Sequence, residues 1–362
     1  MFKNIEALTI ISSEACNLNC SYCNIAKEVD PEKHAIIAQE VKNALKSGKY
    51  LQNILDFIEE YDIDKTKITK FDLWGQEPTL TMNEITEAFP SFYKEFPNIK
   101  YCFFSTNSVA FYDRIINYIK KVDETVTKPT VFAIQFSFDG TDITEKSRGI
   151  DPNIILNNIE KLFKELNKIN LKNVTVDCHF HNVITVELIK KLLKDNKEFF
   201  NYFEDLDNIV NRYLNIIENP KVELLPYFSP GLINPHNASK EDGKALADFY
   251  KKCLYYQPEP TDVWESLVYM FENPLHMIKD CHDLRQNTVE GAIEKSAYYE
   301  LIDEEIAGSF ISHLSHALSC GWGEGNLSIR YDGTLMHCHN VLFGMTQEEL
   351  EYKNKESLRH RI

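Results

Sequence analysis

The sequence predicts an α/β chain built around a parallel sheet, and three observations carry that expectation. Short apolar or alternating segments recur six times in the first two-thirds of the chain, at residues 7–12, 68–74, 101–105, 131–138, 174–181 and 222–226. Stretches with helical periodicity lie between them, at residues 37–61, 110–121, 153–169 and 186–203. Polar or glycine-bearing motifs stand at the carboxyl ends of the strand segments, where α/β sheets hold their ligands. Six β/α repeats of this kind pair in parallel through helical crossovers.

The first strand segment leads directly into Glu14-Ala-Cys16-Asn-Leu-Asn-Cys20-Ser-Tyr-Cys23, a C-x3-C-x2-C spacing. Thiolates are the usual ligands of iron–sulfur clusters, and a compact loop can aim three of them at one cluster. Three ligands for four irons leave one iron open to bind a further molecule. Zinc is the alternative, but it usually takes four ligands, often as paired C-x2-C units. Three thiols in a polar loop are poor core material.

Later segments carry their own motifs. The second strand ends in Trp74-Gly75-Gln76-Glu77-Pro78, a tight turn that exposes backbone groups. The third ends in Ser105-Thr106-Asn107-Ser108, and the fourth in Ser137-Phe138-Asp139-Gly140 with Arg148-Gly149 following. Both are also ordinary turn chemistry, with Asn107 suited to a left-handed conformation. In the helix after the fourth strand, Ile154, Leu156, Ile159, Leu162 and Phe163 are spaced for one face. On the fifth strand Asp177, His179 and His181 alternate and so share a face, where the two histidines are candidates for the substrate side.

The pattern changes near residue 230. Residues 229–237 are rich in Pro, Gly and Asn and read as a boundary. Residues 240–306 read as mostly helical. Residues 317–341 offer a Gly-rich turn and two short strands around Tyr331-Asp332-Gly333, a hairpin signal. The expected division is a barrel-like domain at 1–230, a helical connector or docking segment at 231–312, and a hairpin region at 313–362.

Composition narrows the function classes. The 362 residues carry a formal net charge of −16, with 43% apolar and 12% aromatic content. That balance supplies a sizeable core and argues against a broad basic face for nucleic acid or anionic membrane. No stretch approaches the roughly 18 apolar residues of a membrane span, and the N-terminus lacks the apolar run of a signal peptide. A cytoplasmic location is expected. Nine cysteines is an odd number, which disfavours a disulfide framework and suits metal binding in a reducing compartment. Cys102 and Cys178 fall inside strand patterns and read as core thiols.

Taken together, the motifs resemble the radical S-adenosylmethionine (SAM) superfamily. Its signature is C-x3-C-x2-C with an aromatic before the third Cys, the place of Tyr22. The turn at Gly75 is similar to the family's Gly-Gly-Glu-Pro, with Gln76 in place of the second Gly, a position where positive φ would favour glycine. Ser105–Ser108 looks like Thr-Asn-Gly, and Ser137–Gly140 like Ser-Leu-Asp-Gly. The resemblance implies a partial (β/α)6 TIM-like barrel with a [4Fe–4S] cluster on Cys16, Cys20 and Cys23. It implies a SAM site drawn from Tyr22, Gly75, Gln76, Glu77, Ser105, Asn107, Ser137, Asp139 and Arg148, with Tyr22 near the adenine. Arg148 would clasp the SAM carboxylate through two parallel hydrogen bonds. Reductive cleavage of SAM then yields a 5′-deoxyadenosyl radical that takes hydrogen from substrate, with an electron donor such as flavodoxin or ferredoxin.

Cys320, Gly333 and Cys338 are spaced like the opening of the family's SPASM or twitch extension, where a hairpin supplies two thiolates to an auxiliary cluster. A full extension continues with more cysteines, and none follows Cys338. A second cluster would therefore draw on Cys253 and Cys281, with His337 or His339 as less usual ligands. The leading expectation is modification of a peptide or protein, as in the maturation of ribosomal peptides. A radical SAM enzyme acting on a small metabolite is the alternative. A non-catalytic iron–sulfur protein that senses redox state is the reading from another class, and SAM binding separates it from the first two.

Overall fold

The computed structural model describes residues 5–23, 31–233, 245, 248–249, 252 and 325–336. Most of the expected helical connector and the cysteines at 253, 281, 320 and 338, with His337 and His339, lie outside these residues.

In chain order the elements are β1 (Ala7–Ser13), α1 (Pro31–Ser47), α2 (Lys49–Glu60), β2 (Lys70–Gly75), α3 (Met82–Glu95), β3 (Tyr101–Thr106), α4 (Tyr112–Thr125) and β4 (Thr130–Ser137). There follow α5 (Thr141–Arg148), α6 (Pro152–Leu166), β5 (Val174–Thr185), α7 (Val186–Lys194), α8 (Asn196–Leu214), β6 (Val222–Ile233), β7 (Asn326–Ile329) and β8 (Leu335–Met336). One sheet runs in the order β6-β5-β4-β3-β2-β1-β7-β8. β1 to β6 are parallel throughout, as helical crossovers require. This is the expected α/β architecture, an open partial barrel.

The two faces of the sheet differ. Phe71, Phe104, Phe132, Phe136 and Phe180 point toward the helices and are buried. They meet aromatic rings there, Phe71 on Phe89 of α3 at 5.5 Å and Phe132 on Tyr118 of α4 at 5.3 Å. The alternate residues Asp72, Trp74, Phe103, Ser105, Gln135, Ser137, Asp177, His179 and His181 are only partly buried. Strand periodicity puts them on the inner face, and register aligns Ser105 with Gln135, Gln135 with His179, and Ser137 with His181.

Several boundaries differ from the sequence reading for local reasons. The stretch 37–61 is two helices, divided at Gly48, whose φ of 76° is left-handed. The stretch 186–203 is likewise two, because Asp195 is extended and its side chain caps α8 at the Lys197 amide, 2.8 Å away. Ile154 is 44% exposed, and Ile155 takes its place in the core. Residues 229–233, read as a boundary, belong to β6 and pair with β5. Pro230 is tolerated because, among the described residues, β6 is a terminal strand of the sheet. The hairpin forms, with Ser328 opposite Met336 and Ile329 opposite Leu335, around Gly333 at φ 92°. It joins the main sheet, since β7 lies parallel beside β1.

Candidate active site

The cysteine loop leaves the carboxyl end of β1 and is held by its neighbours more than by itself. Ser13 carries the register shift where β1 meets Gly75 of β2. Gly75 has φ 149°, and a Cβ there would lie 2.1 Å from the Ser13 carbonyl oxygen, so only glycine lets the two strand ends approach. The amides of Gln76 and Glu77 donate to the carbonyls of Ser13 and Ala15 at 3.1 Å each. Gln76 itself does not have positive φ, so replacing the family's second glycine costs nothing in backbone geometry. Its Nε2 is buried and, among the described residues, has no hydrogen-bond partner.

Glu77 is fully buried. Its Oε1 accepts from the amide and hydroxyl of Thr79 at 3.1 and 2.6 Å and from the Thr106 hydroxyl at 2.9 Å. Its Oε2 accepts from the Asn107 amide at 2.7 Å. Burial raises its pKa against these donors. The Glu77 oxygens are turned into the protein and tie the β2 turn to the β3 turn. Asn107 completes the link, its Nδ2 reaching Asn17 Oδ1 at 2.7 Å and Cys16 Sγ at 3.6 Å. The left-handed residue in this turn is Ser108, at φ 58°, instead of Asn107.

A second carboxylate grips the other end of the loop. Asp139 has 0% exposure and five donors. Arg148 supplies Nε to Oδ2 and Nη2 to Oδ1, both at 2.8 Å. Ser147 and Tyr22 hydroxyls donate to Oδ2 at 2.7 and 3.1 Å, and the Val183 amide to Oδ1 at 2.8 Å. Burial alone would raise the Asp139 pKa, but the Arg148 charge and these donors outweigh it and hold the carboxyl below its ordinary range. The Arg148 fork thus engages Asp139 in two parallel hydrogen bonds. The Asp139 oxygens are filled by donors from within the protein. Tyr22, buried, is oriented by Asp139 and lies beside Arg148, whose Cζ is 5.6 Å from the ring centroid. The Ser21 amide donates to the Ser147 carbonyl at 2.7 Å, a further tie between loop and α5.

The three triad thiols are free and partly buried. Burial, then the Glu77 charge, pushes Cys16 up to about 12. Burial also raises Cys20, with Arg148 opposing it. As bare groups these thiols hold their protons, which metal binding releases. Among the described residues, no three His, Cys, Asp or Glu converge on a single ion. A cubane instead offers each thiolate its own iron, so a C-x3-C-x2-C donor set fits it. The orphaned Gln76 amide beside the loop fits a bound polar ligand.

Farther along the inner face, the hydroxyls of Ser105 and Ser137 stand 3.5 Å apart. The Gln135 amide lies 3.1 Å from His179 Nε2. Burial, then His181, lowers His179 to about 4, so its ring is neutral at ordinary pH. Among the described residues, Asp72 has one buried oxygen without a partner, and burial raises it to about 7.

Sequence reasoning missed one contact of the loop. Arg330, after β7, forms a bidentate pair with Glu14, Nε to Oε1 at 2.5 Å and Nη2 to Oε2 at 2.8 Å, and both side chains are buried. Nothing in a separation of 316 residues announces it.

The class of protein follows from the fold, the loop and the match of residues 10–195 to the model of the radical SAM superfamily. The match covers just over half of the chain, and the chain belongs to that superfamily. Its members use a [4Fe–4S] cluster and SAM, act on a substrate and need a reductant. The chain is 26% identical over 231 residues to the radical SAM cyclopropyl synthase TigE of Paramaledivibacter caminithermalis. That alignment covers 60% of this chain and 47% of TigE, so the chain matches about half the length of that relative. It is also similar to SuiB of Streptococcus suis in its SAM-bound crystal structure, at 14% identity and TM-score 0.42, covering 92% of this chain and 60% of SuiB. A second SuiB structure gives 14% identity and TM-score 0.44, with coverage of 96% and 64%. Among the described residues, no helix is long and apolar enough to cross a membrane.

Proposed function

We propose that Cys16, Cys20 and Cys23 hold the [4Fe–4S] cluster, that SAM binds its open iron, and that the enzyme modifies a peptide or protein. The observation that carries the cluster assignment is a three-thiol loop at the carboxyl end of β1, braced by two buried carboxylates and a bidentate arginine. When bound, cluster and SAM supply a 5′-deoxyadenosyl radical that takes a hydrogen atom from the substrate.

The chain's own residues orient and enclose that chemistry. Asn107 directs its amide at the Cys16 sulfur, a contact of the kind that tunes a cluster's potential. Arg148 places positive charge near Cys20. Gln76 offers its partnerless Nε2 to the methionyl end of SAM, and Ser105 and Ser137 offer hydroxyls to its ribose. Tyr22, held by Asp139, would pack near the adenine. Neutral His179, with His181, faces the substrate across the inner surface.

The peptide assignment is supported by the Cys320…Gly333…Cys338 spacing of the hairpin region. A second cluster would take Cys320 and Cys338, with Cys253 and Cys281 completing the set. The electron donor would be of the flavodoxin or ferredoxin type.

Isotope transfer tests the substrate class. The anaerobically reconstituted, reduced enzyme is given SAM with a peptide digest of deuterated cell protein, and in parallel with deuterated amino acids and sugars. Deuterium appearing in 5′-deoxyadenosine with the peptide digest alone is expected. Transfer from the small molecules alone would replace the peptide reading with the metabolite one.

A further inference from the structure

We propose that the β7–β8 hairpin is a brace that positions the cysteine loop, with Arg330 and Glu14 as its positioning residues; this rests on the cluster assignment above. Three sets of contacts support it. β7 pairs in parallel with β1, from Ala7 opposite Asn326 to Ile10 opposite Ile329, so the hairpin lies along the strand that launches the loop. At the end of that pairing, Tyr50 of α2 joins the two strands through its hydroxyl. The hydroxyl accepts from the Ile11 amide at 2.9 Å and donates to the Ile329 carbonyl at 2.7 Å. Beyond it, the hairpin turn is docked from outside. Asn53 Nδ2 donates to the Tyr331 carbonyl at 2.9 Å, and the Tyr331 hydroxyl donates to Glu40.

With the hairpin fixed in this way, the Arg330 guanidinium has a set position. It holds Glu14 by two parallel hydrogen bonds, and Glu14 stands two residues before Cys16. A fork fixes both distance and rotation of the carboxylate, which a single contact does not. The pair therefore sets where the chain turns from β1 into the loop. Glu77 and Asp139 hold the loop farther along, so Arg330 fixes its first residues and those carboxylates the rest. The spacing of Cys16 relative to Cys20 and Cys23 then depends on residues more than 300 positions away.

Three proteins test this: wild type, Arg330→Lys, and the double variant Glu14→Gln/Arg330→Met. Each is reconstituted anaerobically, and iron content, thermal melting, SAM affinity and the EPR spectrum of the reduced cluster with and without SAM are measured. Lysine keeps the charge and loses the fork. The double variant removes both buried charges, so a merely charge-balancing pair would recover wild-type behaviour in it. The brace predicts that both variants bind SAM about fivefold or more weakly and give an altered spectral response to SAM. Wild-type spectra and affinity in either variant would overturn it. Should the double variant not fold, Arg330→Lys decides by the same criteria. A wild type that takes up no iron overturns the cluster assignment and the brace together, whereas a normal wild-type cluster beside unchanged variants overturns the brace alone.

Discussion

Two buried arginine–carboxylate forks hold the cysteine loop, and they differ in how the chain brings them together. Asp139 and Arg148 are nine residues apart, joined by one helix, and grip the loop's far end through Tyr22 and Ser147. Glu14 and Arg330 are 316 residues apart and meet only because β7 pairs with β1. The near fork is built by local turn chemistry and is complete once α5 forms. The far one exists only after the sheet closes. A loop meant to carry a cluster is thus fixed at one end by local structure and at the other by the whole topology.

The comparison breaks most visibly at the near fork. Arg148→Met leaves Asp139 buried and uncompensated, and destabilisation of about 3–5 kcal/mol is expected in denaturant unfolding. The same fork has a pH signature. Asp139 is depressed, so its stabilisation is present above the unfolded carboxyl value and is lost as pH falls through the folded one.

Asp72 has the opposite sign and sharpens the contrast. Its pKa rises from 3.8 to about 7, so stability is lost as pH climbs between those values. Asp72→Asn removes that loss. The variant should match wild type near pH 4 and exceed it by on the order of 2–4 kcal/mol at pH 8, read from urea melts at the two pH values.

The smallest effect on stability belongs to Gln76→Gly. The backbone there does not need glycine, so melting should move by less than about 1 kcal/mol equivalent. SAM affinity, measured by calorimetry, should weaken severalfold once the buried amide donor is gone.

Legibility in the sequence follows the same division between local and remote. The six strands, the cysteine loop and the hairpin turn at Gly333 are written in periodicity and turn residues, and all were readable. Gly48 and Asp195 divide helices that looked continuous, because one glycine and one capping carboxylate outweigh an unbroken apolar pattern. Motif residues were located correctly as strand ends, yet for Glu77, Asp139 and Arg148 the direction of the side chain was not legible. All three were read as parts of a ligand site; Glu77 and Asp139 accept from protein donors up to 117 residues away, and Arg148 donates to Asp139. The Glu14–Arg330 pair left no trace, since neither residue sits in a recognisable motif and their meeting depends on strand order.

The central claim is that the loop carries a SAM-cleaving cluster, and one measurement addresses it directly. Wild type and Cys16→Ala/Cys20→Ala/Cys23→Ala are reconstituted with iron and sulfide, reduced with dithionite, given SAM and assayed by chromatography for 5′-deoxyadenosine. Wild type is expected to give 5′-deoxyadenosine and the triple variant none. Equal product from both, or a wild type that neither cleaves nor binds SAM, would contradict it.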